Sequence, residues 1–267
     1  MRSIDLPVRY GRELADLDLE SHERNLRYGE LHWSLPVQET ALVLVDCWDE
    51  FPLASFVARA GAICQTKIRP VVEACRILGL SVVHTPSPQW AANYPDFHYA
   101  ASATPLKEFT APEKVAATWP PPDTKGTFAV PRTGTEPRFE AWRQKVHPDG
   151  LRISRHLEPV GDDLVLSTGD ELHALCRQRG IKHLLYAGFA TNICVLERDY
   201  GVRAMQRRGY NILLIRDATT AVESSATVDE LWATQAAVFY IEIKIGVTIT
   251  TQDLLEALNN GGSPCPV

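Results

Sequence analysis

The chain has 267 residues, 45% of them apolar and 22% charged, with a formal net charge of −6 and a pI near 5.8. That is a globular composition, long enough for one large α/β core. No basic run stands out, which argues against nucleic acid or an anionic membrane surface as a partner. No apolar run approaches the roughly 18 residues that a spanning helix needs.

The N-terminal MRSIDLPVRYGRELADL has no apolar stretch of the secretory type. Six cysteines (Cys47, Cys64, Cys75, Cys176, Cys194 and Cys265) show neither a C-x-x-C pair nor zinc-finger spacing. These features predict a cytoplasmic protein with free thiols, mostly buried.

Residues 1–38 are polar and irregular and read as an extended N-terminal arm, wrapped on the core or on a neighbouring subunit. The first clear strand is ALVLVD over 41–46. It is apolar up to its last residue, as a central parallel strand covered on both faces should be. A helix over 62–78 follows, with Pro70 inside it and Gly79 as its stop. The second strand is LSVVH over 80–84. Residues 88–150 then break the rhythm with Trp90, Trp119, Trp142 and the run Pro120, Pro121, Pro122. A loop of that length inside a compact domain shapes a pocket or a subunit contact.

The alternation returns with a short strand over 163–166 and the capping box TGDE at 168–171, which opens a helix closed by Gly180. Strand 183–187, helix 191–208, strand 211–215, helix 228–243, strand 247–250 and helix 253–258 complete the pattern. A Gly/Pro-rich tail covers 261–267. The expectation is one domain over 39–260. It is a Rossmann-like three-layer α/β/α fold with a six-stranded parallel sheet and a long insertion after the second strand.

The chemistry concentrates at GFATNICV, residues 188–195. A strand, a tight turn and a helix start follow one another there. With Thr191 as N-cap, Cys194 sits in the first turn, where unpaired N–H groups and the macrodipole favour a thiolate and can hold an oxyanion. Asp46 ends another buried strand and should face the same sheet edge, placed to take the thiol proton. For each residue a plainer role competes: packing for Cys194, a turn cap for Asp46. Trp48 is a candidate pocket wall. Cys47 is a rival nucleophile without helix-end support, and Cys64, Cys75 and Cys176 read as helix packing.

The combination of ALVLVD at 41–46, GFATNICV at 188–195, and the downstream GVRAM, RGYNILLIRDATT and LWATQAA resembles the isochorismatase-like, or cysteine hydrolase, family. Nicotinamidases and carbamoylsarcosine amidohydrolases belong to that group. The resemblance spans about residues 38–255. It implies a Cys–Asp–Lys triad, a non-proline cis peptide at Ala190–Thr191, and an oxyanion site from the Thr191 and Cys194 N–H groups. One position departs from the pattern. The lysine expected after the third strand is replaced by Ser167, and Thr168 already caps the next helix.

Candidates for a substitute are Glu171, His173 and the insertion lysines Lys107, Lys114, Lys125 and Lys145. Glu171 is the third catalytic candidate beside Cys194 and Asp46, although its place also suits a capping box. Ala190, Thr191 and Trp48 are the candidate substrate-contacting residues. His84 and His98 do not form a recognisable ligand set, so neither metal nor organic cofactor is expected.

Function is thus expected to be cysteine-dependent hydrolysis of a small amide, carbamoyl or related C–N bond through a thioester. The alternatives are hydrolysis by Asp46 without the cysteine, of the isochorismatase type, and a catalytically degenerate small-molecule-binding homologue. The resemblance also implies a homo-oligomer. It does not supply the substrate.

Overall fold

The computed structural model describes residues 2–99, 136–145 and 151–261. Among them, eight strands form one sheet in the order β2-β1-β8-β7-β6-β3-β4-β5. In chain order these are β1 (Ser3–Gly11), β2 (Tyr28–Pro36), β3 (Thr40–Val45), β4 (Ser81–Thr85), β5 (Leu164–Val165), β6 (His183–Phe189), β7 (Asn211–Thr220) and β8 (Val247–Ile249). The six strands from β8 to β5 pair in parallel, as the apolar runs predict.

The other two correct the reading of residues 1–38 as an arm. β1 and β2 form an antiparallel hairpin, and β1 joins the sheet through Arg9 opposite Thr248. The signal was a period of two: Ile4, Leu6 and Val8 are buried, whereas Asp5 and Pro7 between them are exposed. Interleaved charges and a proline hid it.

Alternation within the parallel strands feeds two cores. Leu42 and Leu44 of β3, Leu185 and Ala187 of β6, and Leu213 and Ile215 of β7 face one side. There they meet α1 (Ala54–Ile63), α2 (Arg69–Leu78) and α8 (Thr251–Asn260). Ala41, Val43, Leu184, Tyr186, Ile212 and Leu214 face the other side. They pack on α5 (Gly169–Arg179), α6 (Val202–Arg207) and α7 (Trp232–Lys244). This is the three-layer α/β/α arrangement with a covered sheet.

The helix expected over 62–78 is the second half of a longer one. α1 passes into α2 through a π-turn, Cys64–Ile68, in which the Arg69 N–H reaches back to the Cys64 carbonyl. Pro70, without an N–H, stands at the start of α2, where a missing donor costs least. Gly79 closes α2 in the left-handed conformation.

Of the insertion, the described parts are α3 (Pro88–Ala91), a 3₁₀ turn Pro95–Phe97 and α4 (Pro137–Arg143). Lys107, Lys114, Lys125, Trp119 and the proline run lie outside the described residues, as does the tail from 262 on. No helix among the described residues is long and apolar enough to cross a membrane.

Candidate active site

The strand order places the site. From β3 the chain moves one way, to β4 and β5; from β6 it moves the other way, to β7 and β8. The reversal falls between the neighbours β3 and β6, and a crevice opens beyond the carboxyl ends of strands at such a switch point. Val45 pairs with Gly188 in the last register step, so Asp46 leaves β3 beside the turn that leads to Cys194.

Gly188 is required there. Its φ is +115°, and a Cβ would lie 2.1 Å from the Val45 carbonyl oxygen. Asp46 itself has φ +44°, a left-handed conformation that Asp tolerates better than most residues and that is often found where function demands it.

The turn after β6 differs in detail from expectation. The cis peptide lies at Phe189–Ala190, one bond earlier than the resemblance implied. Ala190, not Thr191, is the N-cap, and its carbonyl accepts hydrogen bonds from the N–H groups of Ile193 and Val195. Thr191 is buried, with its hydroxyl 2.6 Å from that of Thr219. Cys194 is therefore the fourth residue of a π-turn, Thr191–Val195. The helix expected over 191–208 is interrupted before α6 begins at Val202. Gly201 makes the break: a Cβ there would stand 2.7 Å from the Val195 carbonyl oxygen. The interruption buries Tyr200 and turns its hydroxyl toward the site.

Around Asp46 a polar cluster closes. The Cys194 side chain adjoins its carboxyl group. Arg198 Nε donates to Oδ2 at 3.2 Å, and the Ser87 and Tyr200 hydroxyls donate to Oδ1, each at 3.4 Å. Arg198 Nη2 donates in turn to Ser87 Oγ at 2.5 Å. Burial raises the Asp46 carboxyl above its ordinary range, against the lowering effects of Arg198, Cys194 and Ser87. Burial and the Asp46 charge push the Cys194 thiol up to about 12. The resting cysteine is thus a neutral thiol beside Asp46, not the free thiolate that a helix start alone suggested.

Asp46, Ser87, Cys194 and Arg198 of this cluster line a cavity of about 280 Å³. Its walls are aromatic: Trp48, Phe51, Phe56, Trp90, Trp142 and Phe189, with Phe139 beside Trp142. Ring centroids of neighbouring pairs lie 5.3 to 6.4 Å apart, tilted or edge-to-face, in a continuous chain from Phe189 through Phe56 and Phe51 to Trp48 and Trp90. Asp46 and Arg198 are the only charged side chains among the described lining residues, and they are paired with each other.

The structure therefore brings Asp46, Cys194, Ala190 and Trp48 to one cavity. It does not bring Glu171 there. That carboxylate accepts from the Ser167 and Thr168 N–H groups at 2.7 and 3.0 Å and closes the capping box of α5. The third candidate of the sequence reading thus stands in the α5 cap and not among the cavity's lining residues, with Oε2 taken up by the helix start.

Thr191 does not line the cavity either. His173 lies 2.7 Å from the Tyr210 hydroxyl, away from the site. Lys145 is exposed beyond α4. Cys47 points into the core beside Cys64, bonded to the Val45 carbonyl. His84 pairs with Asp163, and no grouping of three potential metal ligands occurs among the described residues.

Arg198 was not singled out from the sequence, although a signal existed. It stands four residues after Cys194, a spacing that puts two side chains on one helical face.

An isochorismatase domain model matches residues 40–253. Among solved structures, a cysteine hydrolase from Pseudomonas syringae pv. phaseolicola 1448A is similar, with a TM-score of 0.56 and 14% identity, over 86% of this chain and 96% of that one. An isochorismatase family protein from Burkholderia thailandensis gives a TM-score of 0.52 and 20% identity, over 83% and 96%. At such identities the likeness is one of fold. A search of curated proteins gives no significant match. With the domain model covering most of the chain and the strand-end Asp46 and Cys194 meeting at its switch point, the chain belongs to the isochorismatase family.

Proposed function

We propose that the protein hydrolyses the C–N bond of a small, uncharged, aromatic-bodied amide or carbamoyl compound through a thioester on Cys194. One observation carries this reading: Cys194 and the buried Asp46 adjoin in one aromatic-walled cavity.

In this mechanism sulfur attacks the substrate carbonyl while its proton passes to Asp46, so no free thiolate need accumulate beforehand. The raised Asp46 pKa makes it a better proton acceptor, and afterwards an acid matched to the leaving nitrogen. The C–N bond breaks, the amine leaves with that proton, and an acyl thioester remains. Water then attacks the thioester, Asp46 takes a proton from it, and the proton returns to the departing sulfur. The backbone N–H groups of Thr191 and Cys194, rather than those of Ile193 and Val195, which bond the Ala190 carbonyl, are the candidate donors for the carbonyl oxygen.

The cavity's chemistry supports the substrate class. Aromatic walls favour a flat apolar body. A substrate carboxylate would find among the described lining residues only Arg198, already bound to Asp46. This weighs against the dianionic vinyl-ether substrates of an Asp-only mechanism.

The test is a panel of aryl amides, carbamoyl amines and carboxylate-bearing analogues, assayed with wild type, Cys194→Ala and Asp46→Asn. Neutral aryl compounds are expected to turn over best, and each substitution should cost about a thousandfold or more in kcat. An active Cys194→Ala beside a dead Asp46→Asn would instead select the Asp-only mechanism.

A further inference from the structure

We infer that Arg198 is the positioning cation of this site: it holds Asp46 as an oriented carboxylate beside the Cys194 thiol, replacing the lysine for which this chain has Ser167. The inference depends on the hydrolase reading above and adds a residue that the resemblance does not supply.

A carboxylate as buried as Asp46, 2% exposed, must be paired or give up its charge. Ser167 is no substitute, since its N–H and hydroxyl both bond Glu171 in the α5 cap. Arg198 answers the need with a planar fork. One arm, Nε, meets Oδ2; the other, Nη2, meets Ser87 Oγ, and that hydroxyl returns to Oδ1. The ring of three side chains fixes both the position and the tilt of the carboxylate, which a single ammonium would do less well.

Nucleophile and cation also share one support. The Arg198 N–H bonds the Cys194 carbonyl at 3.1 Å, so both side chains leave one helical turn on the same side. A displacement of that turn moves both together relative to Asp46.

The groups facing Asp46 are Cys194, Arg198 and Tyr200 from this segment and Ser87 from the β4–α3 connection; Cys47, next in the chain, points into the core. Of these only Arg198 is positive. A guanidinium keeps its charge across the working pH range, so the acid side of the pH profile belongs to Asp46. Without the guanidinium, burial is opposed chiefly by the Ser87 and Tyr200 hydroxyl hydrogen bonds, and the carboxyl becomes harder to ionise.

The experiment measures the rate of Cys194 modification by iodoacetamide between pH 4 and 10, using peptide mass spectrometry on the full chain. Wild type, Asp46→Asn, Arg198→Gln and Arg198→Lys are compared, each checked for fold by near-UV circular dichroism. Wild type should show an acid limb that Asp46→Asn abolishes. Arg198→Gln should move that limb up by about one pH unit or more, and Arg198→Lys should recover most of the displacement.

A folded Arg198→Gln with the wild-type limb overturns the role of Arg198 and leaves the Cys194–Asp46 pair standing. An Asp46→Asn profile identical to wild type overturns both. Should Arg198→Gln fail to fold, Ser87→Ala decides. It removes the strut but spares the ion pair, and should slow modification at pH 6 about threefold or more. An unchanged Ser87→Ala profile overturns the inference.

Discussion

Gly188 sets the distance between the end of β3, which leads to Asp46, and the end of β6, which leads to Cys194. No side chain fits between it and Val45, and its φ of +115° suits glycine alone. Gly188→Ala is expected to destabilise the protein by about 3 kcal/mol or more, through clash and backbone strain together. It should also separate Asp46 from the 190–194 turn, so activity should fall further than the loss of folded protein explains. Urea unfolding and kcat on the same preparation check this; a variant of wild-type stability would show that the neighbouring strands spread at little cost. The neutral state of Cys194 follows from equally local causes, burial and the adjacent Asp46 charge.

α5 shows how an element uses residues that look chemically available. Thr168 and Glu171 satisfy each other's N–H groups at its start, and Gly180 ends it in the left-handed conformation. Glu171→Ala should therefore cost about 1 kcal/mol of stability, in the usual range for caps, and leave hydrolysis by folded protein unchanged. A loss of kcat of a hundredfold or more, with stability intact, would return Glu171 to the catalytic set. The broken helix after Cys194 does the opposite for Tyr200, because the interruption at Gly201 lets a tyrosine from the helical layer reach the sheet edge.

At the scale of the whole molecule, a network beneath the sheet edge ties α2, β4 and the segment before β5 together. Arg76 and His84 both bond Asp163. Burial pushes the Asp163 carboxyl up, but the His84 and Arg76 hydrogen bonds outweigh it and hold the pKa below the ordinary value. Asp217 is likewise held low, with Thr251 and Lys67 outweighing burial. A depressed folded pKa contributes stability that is complete above the unfolded value of about 3.9 and is lost as pH falls through the folded value.

Asp46 acts with the opposite sign. Its folded pKa is raised, so acidification through that range relieves its burial. The net expectation is a loss of stability below about pH 4 that shrinks in Asp163→Asn. Comparing urea midpoints at pH 7 and pH 3 tests it, and equal losses in the two proteins would exclude Asp163 as a source of acid sensitivity.

Much of this was legible in the residues themselves. Six parallel strands, the α5 cap, the Gly79 and Gly180 stops, and the placing of Asp46 and Cys194 at strand ends all follow from short-range patterns: apolar runs, capping boxes and glycines at helix ends. The β1–β2 hairpin was legible in principle, through the alternation of Ile4, Leu6 and Val8. The chemistry of the pocket was not. The cis bond at Phe189–Ala190, the break at Gly201, the aromatic wall assembled from separate segments, and the pairing of Arg198 with Asp46 across 152 positions depend on which strands become neighbours. The layers and the positions of Asp46 and Cys194 near strand ends can be read from the residues alone, because burial period and capping are local. The pairing of Arg198 with Asp46 comes from the fold, because a buried charge is paired by proximity in space.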